Sequence, residues 1–118
     1  MKRTLGAVAL LVSGCATVSD LREGTPIIDA SSSKSVQAIS GCIAAKWQRR
    51  SSPMTTAPRP NGTSLILNGQ QLTGAVPALV VDIDDLGSMR SVKAFIPGNT
   101  SAAPANNDPG NAEITSCL

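Results

Sequence analysis

Few residues in this chain have the types and spacing that support chemistry. Asp82, Asp84 and Asp85 stand within four residues and are followed by Gly87. Such a run opens many calcium loops, but the EF-hand pattern then needs an oxygen ligand at its fifth position and a Glu at its twelfth. Leu86 and Lys93 occupy those positions, so the pattern fails and the segment reads as a solvated turn. Paired carboxylates also serve glycoside hydrolysis, yet a tight turn in a small sheet offers no cleft for a sugar. Ser31-Ser32-Ser33-Lys34 fits the S-x-x-K nucleophile pattern, without the K-T-G and S-D-N segments that complete it. The chain has no His, which excludes Ser-His-Asp and Cys-His catalysis. A basic cluster, Lys46, Arg49, Arg50 and Arg59, suits an acidic partner or the solvated end of a helix. Asp82, Asp84, Asp85, Arg49 and Arg50 are therefore the candidate partner-binding residues. No catalytic residue, metal or cofactor is expected.

The elements that position these groups follow from hydrophobic spacing. Val36, Ile39, Ile43 and Trp47 recur at steps of three, four and four, which predicts an amphipathic helix running to about Arg50. The serines at 31–33 offer its N-cap, and Trp47 is a core residue. Pro53, Pro58 and Pro60 predict a loop over 51–61. Asn68-Gly69 between Ser64–Leu67 and Gln70–Thr73 predicts a hairpin, because a type I′ turn needs positive φ at both centres. Ala78–Asp84 and Met89–Ile96 alternate and predict a second hairpin around Asp85–Ser88. Asp82 or Asp84 opposite Arg90 or Lys93 would make exposed cross-strand pairs. Residues 97–113 are rich in Pro, Gly, Ala and Asn and read as a flexible tail. The fold class is α+β, one helix packed on a small antiparallel sheet of two hairpins.

The first fifteen residues carry a different kind of information. Lys2 and Arg3 precede the apolar run Leu5–Val12, and Val12-Ser13-Gly14-Cys15 follows. The run is shorter than the roughly 20 residues of a membrane-spanning helix, and its order is that of a cleaved signal. Val12-Ser13-Gly14-Cys15 resembles the lipobox of bacterial lipoproteins. The resemblance implies cleavage after Gly14 and lipidation of Cys15 with diacylglycerol and a further acyl chain such as palmitate. Two or more chains hold a protein stably on a membrane. Ala16 in place of Asp implies sorting to the outer membrane, facing the periplasm. On this reading residues 1–14 are the signal peptide, 15–30 a lipidated tether and 31–118 one small domain. The Ser-rich helix start, Cys42-Ile43 before Trp47 and the Cys117-Leu118 end are also similar to some small uncharacterised lipoproteins of proteobacteria and their prophages. That likeness implies no activity.

Export sets the expectation for the remaining cysteines. Cys42 and Cys117 would pair in an oxidising compartment, stapling the C-terminal segment to the helix. Loss of Lys2 and Arg3 leaves eight basic against eight acidic side chains. That balance argues against a polyanionic partner, and two aromatics are too few for a stacking surface on nucleic acid. The expected function is a non-enzymatic, lipid-anchored binding or accessory module of the cell envelope, with an envelope protein as partner. The alternatives are an inhibitor or exclusion factor acting on an envelope hydrolase or phage machinery, and a structural envelope spacer.

Overall fold

The computed structural model describes residues 17–49, 53–71, 74–98 and 109–118. Its elements are α1 (Val18–Arg22), β1 (Ile28–Ser32), α2 (Val36–Trp47), β2 (Met54–Arg59), β3 (Gly62–Gln71), β4 (Gly74–Asp85), β5 (Arg90–Phe95) and α3 (Pro109–Thr115). The five strands form one antiparallel sheet in the order β1-β5-β4-β3-β2. β2 to β5 are a meander, and β1 closes the far edge beside β5.

The spacing of apolar residues explains the two faces. Leu79, Val81 and Ile83 of β4, Leu65 and Leu67 of β3, and Val92 and Ala94 of β5 point to one side and are buried. Against them α2 lays Ile39, Ile43 and Trp47, each fully buried, as the helical spacing predicts. The C-terminal segment adds Ile114 and Cys117 to the same core, and the Cys42–Cys117 disulfide joins it to α2. On the opposite side a smaller cluster of Leu21, Val80 and Phe95 forms beneath α1, with Val18 and Ile66 at its margin. The class is thus α+β, with an antiparallel sheet and the expected staple.

Several boundaries differ from the sequence expectation. The stretch 15–30 is not a free tether over its described part. Thr17 caps α1 in a reciprocal box with Asp20, and Ile27 and Ile28 are buried in the main core. Burial of Ile27 and Ile28, with Leu21, outweighs the polar composition around them. Ser31 and Ser32 belong to β1, paired with Ser91 and Arg90, so the helix cap falls to Ser35, whose Oγ accepts from the Ala38 amide at 3.1 Å. The Pro-rich loop at 51–61 contains β2. Pro58 is tolerated because β2 is an edge strand, where a missing N–H faces no neighbour. The tail 97–113 contains the first residues of α3. The sheet therefore has five strands, and the two-hairpin description falls short by β1 and β2.

The first hairpin turn also lies elsewhere. Arg59 pairs with Gly62 across Pro60-Asn61, while β3 runs straight through Asn68-Gly69 with a register irregularity between Leu67 and Asn68. The Asn68 amide is bonded to the Pro53 carbonyl at 2.9 Å, which continues the β2–β3 register past Met54 and Leu67, and the irregularity is taken up on β4, where Ala78 is left without a partner in β3. The β4–β5 turn is where the sequence places it. The Leu86 amide bonds the Met89 carbonyl at 2.9 Å. Gly87 adopts φ +93°, a conformation that favours glycine.

Candidate functional site

The acidic residues singled out from the sequence divide between the two sheet faces. Asp82 and Asp84 point to the α1 side, and Asp85 points to the α2 side. Asp82 is 5% exposed. It is not the exposed cross-strand partner of Lys93 that its register position suggests. Instead Arg22 of α1 grips it with two bonds, from Nε at 2.8 Å and from Nη2 at 2.9 Å. Ser64 of β3 donates its hydroxyl at 2.6 Å, and Arg59 Nη1 stands 3.3 Å away. Arg59 also forks onto Asp84, with Nε at 2.8 Å and Nη2 at 3.1 Å. Two carboxylates and two guanidiniums thus close on themselves.

Burial alone would raise the Asp82 pKa. The hydrogen bonds from Arg22 and Ser64, and then the charges of Arg22 and Arg59, outweigh burial and hold it below the ordinary carboxylate value. The bond to Asp84 likewise strengthens the protonated state of Arg59. An ionised, fully engaged Asp82 is a poor proton donor, so the cluster positions elements rather than reacting. It clasps α1 to the sheet. Among the described residues no group of three or more His, Cys, Asp or Glu is arranged to hold a metal ion.

A pH dependence follows from this clasp. The folded pKa of Asp82 lies below the unfolded one, about 3.9. Its contribution is therefore fully present above about pH 4 and is lost as pH falls through the folded value. Asp82→Ala is expected to cost about 2 kcal/mol at neutral pH. That is less than the roughly 3–5 kcal/mol of a broken, fully buried pair, because the arginine side chains remain 32% and 26% exposed. Urea titrations between pH 7 and pH 2.5 check both points. Asp82→Asn should flatten the acid limb of the wild-type curve.

Arg22 and Ser64 are not candidates on sequence grounds, and Arg59 enters there only as a member of the basic cluster. Arg22 sits in the expected tether and Arg59 in the expected loop. A signal exists nonetheless. Ala78–Ile83 is nearly continuous apolar sequence around Asp82, the pattern of a strand covered on both faces. A carboxylate there needs a charged partner.

The other candidate residues surround the β4–β5 turn or lie far from it. Asp85 braces the turn, accepting the Gly87 amide at 2.9 Å, and its carboxylate lies 3.6 Å from Arg90. Beside it Val36, Gln37 and Ser40 of α2, with Asn61, Gly62 and Thr63, line an open groove of about 420 Å³. Arg49 is exposed two residues beyond α2. α2 starts beside Asp85 and rises about 1.5 Å per residue, so Arg49 and Asp85 stand roughly 20 Å apart and form no common site. Arg50 and Cys15 lie outside the described residues.

The sequence did not single out the turn's own apolar side chains. Leu86 is 66% exposed and Met89 41% exposed, the two large hydrophobics that stand out from the surface among the described residues. They flank Gly87 at the tip of the hairpin, next to the polar groove. An apolar centre with a polar margin is the usual composition of a protein-binding surface. Compared with family models, with curated proteins and with solved structures, the chain matches none. Among the described residues no helix is long and apolar enough to cross a membrane.

Proposed function

We propose that this protein is a lipid-anchored, non-enzymatic binding module of the bacterial envelope, held by acylated Cys15 at the outer membrane and facing the periplasm. It presents the Leu86–Met89 hairpin tip to an envelope protein. The observation that carries this reading is polarity of the fold along its strands. Val18 and Leu21 of α1 pack at the level of Val80 and Phe95, while Arg22 reaches Asp82, nearer the tip. The chain therefore enters from the end away from the turn. Phe95 and Arg90 lie five residue steps apart along β5, about 17 Å at strand rise. An anchor just before Thr17 leaves the exposed leucine and methionine on the far side.

A second reading is favoured by the rigidity of the same turn. Its cross-turn hydrogen bond, its glycine and the Asp85 brace hold a narrow apolar tip that suits insertion into the cleft of an envelope hydrolase. The protein would then be an inhibitor.

Two experiments test the proposal. Radiolabelled palmitate should enter the wild-type protein and not Cys15→Ala, which should also leave the membrane fraction; equal labelling contradicts the anchor. Leu86→Asp with Met89→Asp should change the unfolding free energy by no more than about 0.5 kcal/mol, as for other exposed positions. The same change should abolish capture of the partner after in-cell cross-linking. Undiminished capture contradicts a role for the tip, and recovery of lipid and abundant lipoproteins alone favours a spacer.

A further inference from the structure

We propose that α1 is a reversible latch, docked on the sheet through Leu21 and Arg22 and able to leave it while the rest of the domain stays folded. The inference adds a regulated reach to the anchored-module reading and rests on that reading for its consequence, though not for its test. Three observations support it. α1 has five residues, too few for a helix that is stable on its own, so its structure depends on its seat. That seat is small: Leu21 is the one buried residue of α1, set against Val80 and Phe95.

The third observation concerns what departure leaves behind. A buried carboxylate stripped of its partner is normally the main obstacle to undocking. Here Asp82 keeps the Ser64 hydroxyl at 2.6 Å and Arg59 at 3.3 Å when Arg22 goes. Arg59 is itself fixed by Asp84. The sheet thus holds a second cation in place for the unlatched state. The boundary of the moving segment is equally defined. Ile27 is 3% exposed in the main core, and its amide bonds the Ala94 carbonyl at 2.8 Å. The chain therefore stays fixed from Ile27 onward, and Gly24 lies between the latch and that fixed point.

With α1 docked, the domain is held beside its anchor. Released, residues 15–26 span about 40 Å at full extension, enough to carry the hairpin tip across a domain diameter to a partner. Local openings of this kind occupy the low end of a protein's stability range.

The test uses the mature chain with Cys15→Ser, so that lipid plays no part. Residue-resolved amide exchange is measured at Leu21 and Gly24, and at Val81 and Val92 in the sheet. The latch predicts exchange at least a hundredfold faster in α1 than in the sheet. Arg22→Gln removes a contact that unlatching and global unfolding both break, so it should raise exchange in α1 and in the sheet by a similar factor, fivefold or more, and leave the hundredfold gap between them. Spin labels at Ser19 and Lys93 should report a short and a long distance, the long one gaining population in Arg22→Gln. Equal exchange in α1 and sheet, or a single short spin-label distance that is unchanged in Arg22→Gln, overturns the latch. Neither result bears on acylation, which the palmitate experiment decides separately.

Discussion

Replacement of both Cys42 and Cys117 by serine is expected to lower the unfolding free energy by about 4 kcal/mol. The bridge closes a loop of 75 residues, and constraint of so long a loop in the unfolded chain is worth roughly 4–5 kcal/mol. The native side of the balance changes less, because Ile114 remains buried and Lys46 still reaches the Ser116 hydroxyl. The effect should appear as a lower urea midpoint with little change at neutral pH in the folded spectrum. α3 should become the first element to exchange, since α2 is its chief contact. A wild-type midpoint that is the same with and without reductant would contradict a stabilising staple.

Gly62→Ala is expected to be nearly as damaging, at about 3 kcal/mol or more, while Gly69→Ala is expected to be mild. Both glycines follow an asparagine in β3. A Cβ on Gly62 would lie 1.8 Å from the Ile83 carbonyl oxygen and 2.8 Å from its carbon. These are backbone atoms of the paired strand and have no rotamer by which to yield. Relief requires β3 and β4 to part where the Asp85 amide bonds the Asn61 carbonyl at 2.7 Å. That places the cost at or above the upper end of the usual range of about 1–3 kcal/mol for side-chain overpacking. A Cβ on Gly69 would meet the Ala78 methyl at 3.5 Å, ordinary contact distance. Thermal unfolding of the two variants side by side checks the contrast, and similar midpoints would contradict it.

The two Asn-Gly pairs also show why one turn was legible in the sequence and the other was not. At Asp85–Ser88 the strands on both sides alternate clearly, and the turn falls between them. At Asn68-Gly69 the local turn signal is genuine, but Leu67 and Leu79 continue the buried face, and tertiary pairing carries β3 past it. The preceding hairpin is built on Pro60-Asn61 instead. Proline in a flanking edge strand hides that strand from a reading based on propensity. Helix α2 was readable because Ile39, Ile43 and Trp47 repeat at helical spacing, and the disulfide because the expected export and lipidation of Cys15 would leave two cysteines to pair.

The candidate site was legible only in part. Asp82, Asp84 and Asp85 stand out as a cluster, yet the pleat sends them to different faces and gives them different work. Arg22 and Arg59 meet Asp82 from 60 positions before it and from 23 before it in sequence, a convergence that no local pattern encodes. Leu86 and Met89 were passed over because single apolar residues in a turn are commonplace. Their significance comes from the direction in which α1 enters the fold.

The central claim is that this tip meets a partner while the protein is anchored through Cys15. A photoactivatable amino acid placed at Leu86 of the acylated protein, with Gln48 at the far end of α2 as the comparison, tests it in the living cell. The account predicts one dominant envelope protein cross-linked from position 86 and absent from position 48. The same products from both positions, or none from 86, would contradict it.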